Sequence, residues 1–198
     1  VSDRPAALEG LHGRDVVFAT WQLARVQAGA ALWVAPDEAG ATLAKALASA
    51  DKLSAQVGQA PELLPGVSLQ QLALWRAQLW LAQALSAPNL GQATSVGHAQ
   101  HKHAYQATLA SALLVFEQVA TPSAHVWAAL TRRVLLALSC IGQAPQVPPS
   151  VSPLVEAQDE LTSTLHALWQ VDTDAATHLE RLVTHADSVL QRWHTVTD

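Results

Sequence analysis

The sequence predicts an all-α protein, an antiparallel helical bundle of about seven helices with no significant sheet. Three observations carry that expectation. The ten prolines fall between periodic segments or at their starts, and none interrupts one. The segments between them are rich in Ala and Leu and poor in strand formers. Most are near twenty residues, ~30 Å as helix at 1.5 Å per residue, and such lengths with short connections favour antiparallel neighbours.

Residues 1–14 hold Pro5, Gly10 and Gly13 and read as an irregular segment. A first helix is expected over about 15–34. It is apolar nearly all round, which suits the centre of a bundle, and Ala28-Gly29-Ala30-Ala31 would let another helix approach closely. The second helix starts with Pro36 at its first position and Asp37 and Glu38 in its first turn. Leu43, Leu47, Ala50, Ser54 and Val57 recur along it at four- and three-residue steps, and Gly58 can end it.

Pro61 to Gly66 is a turn. The third helix has the clearest start, since Ser68 can cap it and Gln71 can complete a capping box. Val67 and Leu72 are placed for a hydrophobic staple. It runs to about Ser86 with Leu72, Trp75, Leu79 and Ala82 on one stripe. After a loop over 87–97, a fourth helix spans about 98–120, aligning Tyr105, Leu109, Ala112, Phe116 and Ala120. Thr121-Pro122 opens the fifth, which carries Val126, Leu130, Val134 and Ile141 and stops at Gly142.

Residues 143–152 hold Pro145, Pro148 and Pro149 and are expected to be extended. Ser152-Pro153 opens the sixth helix, with Leu154, Ala157, Leu161, Leu165 and Leu168 aligned. Asp172 or Thr173 opens the seventh, with Leu179, Leu182, Ala186, Val189 and Trp193 aligned. The 198 residues fit a single domain. The helical hairpin of 153–198 is expected to pack on the rest, because two helices alone rarely form a core.

Half of the residues are hydrophobic and only 14% are charged, against ~25% in a typical soluble domain. Gln, Ser, Thr and His must carry much of the solvated surface, and a low-charge surface favours cover by a partner or a second copy. The net charge is −5 and the basic residues are scattered. No basic face can be read, which argues against nucleic acid as a partner. Val16 to Val34 is the best membrane candidate. Arg25 sits at its middle, and an Arg at mid-membrane costs roughly 2.5–3.5 kcal/mol, so the segment reads as a buried core helix and no span is expected. No apolar run preceded by basic residues opens the chain. The expected location is the cytoplasm, with a mature exported protein as the alternative. The one cysteine, Cys140, lies in Ala-Leu-Ser-Cys-Ile and reads as a buried structural thiol.

Local catalytic signatures are missing: there is no phosphate-cradling glycine loop, no Gly-x-Ser-x-Gly, no His-Glu-x-x-His and no Cys-x-x-Cys. The only Glu-x-x-His, Glu9 to His12, contains Gly10 and is discounted as a helical ligand pair. The densest polar chemistry is His98, His101 and His103. On a helix, His98 and His101 share a face with Tyr105, and two imidazoles at that spacing can share a divalent transition metal. His178 and His185 share a face of the seventh helix and could complete that site. The plainer reading of both groups is a solvated helix edge.

Arg25 and Glu117 are candidates for a buried pair, against the favoured alternative that each lies at an edge with its stem along apolar surface. Seven tryptophans stand beside two phenylalanines and one tyrosine. Trp75 and Trp80 are about 140° apart on a helix of period 3.6, which leaves one of them near an edge or a partner. They are the candidate interface residues.

The expected function is a non-catalytic helical binding or regulatory module, self-associating through an apolar helix face as a homodimer or held by a protein partner. The alternatives are a bundle with a His-lined metal or cofactor site, and a pocket for an apolar small molecule between helices. No cofactor is expected under the leading reading.

Overall fold

A computed structural model describes residues 13–31, 36–87, 96–141 and 153–195, and the side chains of 13–29, 39–87, 100–141 and 153–193. Seven α-helices account for nearly all of them: α1 (Gly13–Ala31), α2 (Pro36–Gln59), α3 (Leu69–Leu85), α4 (Val96–Glu117), α5 (Pro122–Cys140), α6 (Pro153–Trp169) and α7 (Thr173–Thr195). Among the described residues there is no strand. The expected extended stretch 143–152 lies outside the described residues, as does most of the N-terminal segment. The helices fall into two compact units, Val1–Ser86 and Ala87–Asp198.

In the first unit, α2 packs against both α1 and α3. Its buried residues are Ala39, Leu43, Ala46, Ala50, Leu53 and Val57, alternating steps of four and three. The sequence expectation centred this face slightly wrong. Leu47 and Ser54 are only partly buried, because a helix in contact with two neighbours buries an a/d-like seam rather than one straight row. Two clusters stack along α2. One gathers Ala28 of α1, Ala39, Leu43, Ala46 and Ala50 of α2, and Leu79 and Ala82 of α3. The other joins Val17 and Trp21 to Leu53, Val57, Leu64 and Leu72. Early α1 residues therefore meet late α2 residues and the reverse, so the two run antiparallel. The same holds for α2 and α3. Trp75 packs against both clusters and meets Trp21 edge-on, with ring centroids 4.7 Å apart.

The start of α3 follows its sequence. Ser68 Oγ accepts from Gln71 N–H at 3.1 Å, and Gln71 Oε1 accepts from Ser68 N–H at 2.7 Å. This reciprocal box satisfies two backbone donors that the helix leaves open. Val67 lies in the same cluster as Leu72, as a staple requires. The turn before it is a short 3-10 segment, Pro61–Leu63, closed by Gly66 at φ +82°, a left-handed conformation that glycine adopts without a Cβ penalty.

The first helix corrects an expectation. It is not a buried core helix: Val17, Trp21, Ala24 and Ala28 are buried, while Phe18, Leu23 and Val26 are 50%, 40% and 68% exposed. By contrast α5 is covered on most sides, with Ala124, Val126, Ala128, Ala129, Leu130, Thr131, Val134, Ala137 and Leu138 buried. It packs on α4, α6 and α7. Thr121 caps it by accepting from Ala124 N–H at 3.3 Å, with Pro122 in the first turn.

Register along α5 fixes the second unit. Lys102 and Gln106 of α4 reach Ile141 and Ser139, while Phe116 stacks on Trp127 with centroids 5.8 Å apart. So α4 and α5 are antiparallel. The fourth helix ends at Glu117, and Val119, not Ala120, is the buried residue beyond it. The seventh starts where Asp172 Oδ1 accepts from Ala175 N–H at 2.9 Å. Its stripe Leu179, Leu182, Ala186, Val189 and Trp193 is buried.

Candidate functional site

Within the histidine-rich start of α4, Lys102 caps the end of α5. Lys102 Nζ donates to the carbonyl of Ile141 at 2.7 Å, placing a cation at the C-terminal end of α5, where the helix dipole is negative. Gln106 Nε2 donates to Ser139 Oγ at 3.3 Å, and His103 Nδ1 lies 3.2 Å from Gln106 Oε1. His101 is exposed. The side chain of His98 lies outside the described residues. His178 is exposed and His185 half-buried on α7. Burial, and then the positive charge of Arg192, holds His185 below the usual histidine pKa. Burial also pushes the Tyr105 phenol up. Among the described residues, no three His, Cys, Asp or Glu side chains gather as a metal-holding group.

Trp75 belongs to the core of the first unit. Trp80 is partly buried, and the Arg76 guanidinium lies over its ring, 5.0 Å from the centroid. The same guanidinium pairs with Asp51 at 3.1 Å. The exposed apolar residues of α1 thus outweigh Trp75 and Trp80 as uncovered apolar surface in this unit.

Arg25 and Glu117 are both exposed, as the favoured edge reading has them. The Arg25 guanidinium lies 5.4 Å from the centroid of the Trp21 ring. Glu117 pairs with Arg132 at 2.8 Å, and Arg132 also binds Glu160. One guanidinium thus ties α4 to α5 and α6. The hydrogen bond to Glu160 is the main reason the Arg132 pKa is raised. Cys140 is another correction: it is exposed, because α5 ends there and its thiol falls on the open side of the last turn.

Arg133 faces the other way and binds Asp187 of α7. That pair lines a cleft of about 340 Å³ within the second unit. α5 contributes Arg133 and Ala137, α6 contributes Leu154, Val155 and Gln158, and α7 contributes Asp187, Leu190 and Gln191. Gln158 Oε1 is buried without a hydrogen-bond partner. Arg133 and Asp187 are 54 positions apart, and no local pattern in the sequence joins them. The one available hint was Val155, an apolar residue beside the α6 stripe rather than in it.

No helix among the described residues is long and apolar enough to cross a membrane. No protein-family model, curated protein or solved structure matches the chain.

Proposed function

We propose that this chain is a non-catalytic helical binding module that self-associates through the outward face of α1. The observation that carries the reading is the exposure of Phe18, Leu23 and Val26, at 50%, 40% and 68%, on a helix whose other side is packed. Phe18 and Val26 fall on one side with Gln22 and Gly29, given 3.6 residues per turn. No neighbouring atom lies within 4 Å of where a Gly29 Cβ would be, so a second helix can approach there. Isologous pairing of this face with its own copy buries Phe18 and Val26 of both chains, with Leu23 at its margin. The missing catalytic motifs and the low charge of the chain support a binding role over an enzymatic one. Of the first two ligands of the metal reading, His101 is exposed and the side chain of His98 lies outside the described residues.

Light scattering coupled to size exclusion tests the proposal. The expected mass is about twice the 21.0 kDa of the chain. Val26→Glu should shift it to the single-chain mass, since a charge buried without a partner opposes association. Trp80→Glu should leave the dimer in place. A monomer at every concentration, or a dimer indifferent to Val26→Glu, would defeat the reading.

A further inference from the structure

The cleft between α5, α6 and α7 has three features that together describe a ligand. Its size, about 340 Å³, lies at the lower end of the range for small-molecule pockets, roughly 300–1,000 Å³. Ala137, Leu154, Val155 and Leu190 make its walls apolar, and Val155 stays 52% exposed. Its two opposite charges are spent on each other, because Arg133 binds Asp187. A cleft so balanced selects neither an anion nor a cation.

The third feature is the orphaned acceptor. Buried polar atoms in native proteins nearly always have a partner, so one without a donor from the protein calls for a physical account. Gln158 Oε1 is such an atom, on a residue that lines the cleft. The last torsion of a glutamine is broad, so the amide of Gln158 can turn to offer this oxygen to the cleft it lines.

We propose that this cleft binds a small neutral amphiphile: an apolar chain against Leu154, Val155 and Leu190, ending in an O–H or N–H that donates to Gln158. The site is independent of self-association through α1.

The experiment titrates 1-hexanol and hexyl methyl ether into the isotopically labelled full chain and follows backbone amide shifts. Hexanol should bind saturably with shifts at Ala137, Leu154, Gln158 and Leu190. The ether, which lacks the donor, should bind roughly three- to tenfold more weakly, the value of one hydrogen bond. Hexanoate should also bind more weakly than hexanol. Gln158→Leu should equalise hexanol and ether, and Val155→Trp, at the exposed rim, should weaken both. Thermal melts establish that each variant is folded, and Val26→Glu should bind hexanol as the parent chain does. Absence of saturable shifts at these residues, equal binding of alcohol and ether by the parent chain, or tighter binding of hexanoate would overturn the proposal.

Discussion

The indole of Trp75 meets that of Trp21 edge-on at 4.7 Å, with ring planes 80° apart, and so joins α3 to α1 across the seam where α2 packs on both. Edge-to-face rings are attracted through their quadrupoles by about 0.5–1.5 kcal/mol beyond area burial. Trp21→Ala should cost about 3–5 kcal/mol, as large-to-small changes at buried tryptophans do. In a double-mutant cycle with Trp75→Ala, urea denaturation should give a coupling of about 0.5–1.5 kcal/mol. Additive losses would mean that the two rings act only as separate fillers.

Capping gives a graded prediction. The Ser68 box has two close hydrogen bonds, 3.1 and 2.7 Å, while Thr121 makes one of 3.3 Å. Ser68→Ala should therefore destabilise by about 0.5–2 kcal/mol, and Thr121→Ala by less. Chemical denaturation of the two variants measures both, and a larger loss at Thr121 would reverse the ranking.

These caps also show what was legible in the sequence. Ser68, Gln71, Thr121, Pro122 and Asp172 act within four residues of themselves, so their roles can be read without a fold. The stripes of α6 and α7 were readable for the same reason. What failed depends on neighbours. An apolar helix such as α1 does not reveal how many sides will be covered, and α2 buries a seam set by two partners. That Glu117 would meet Arg132, and Arg25 the Trp21 ring, likewise depends on packing that no local pattern announces. The cleft draws Ala137, Gln158 and Leu190 from three helices, and nothing local announces that they converge.

Cys140 offers a direct check on one correction. Its apolar flanks predict burial, yet it is exposed at the end of α5. A disulfide-exchange reagent should titrate one thiol per chain in the native state, because reactivity requires access. The rate should approach that of the unfolded chain. A thiol that reacts only after denaturation would place Cys140 in the core.

His185 links the second unit to pH. Burial and the charge of Arg192 both disfavour its protonated form, so its pKa in the folded chain lies below the ordinary 6.5. Above about 6.5 the imidazole is neutral whether the chain is folded or not, and its contribution is fully present. As pH falls below that value the unfolded chain takes up a proton that the folded chain still refuses. Unfolding then draws in protons, and stability declines with falling pH until the folded-state value is passed. His185→Gln removes this titration. Melting temperatures measured between about pH 7 and 5 should fall less steeply for the variant than for the parent. The imidazole titration of His185 itself, followed by NMR, should have its midpoint below that of the same residue in the unfolded chain. Equal midpoints, or equal slopes of melting temperature against pH, would show that the α7 face holding His185 is wetter than its packing implies.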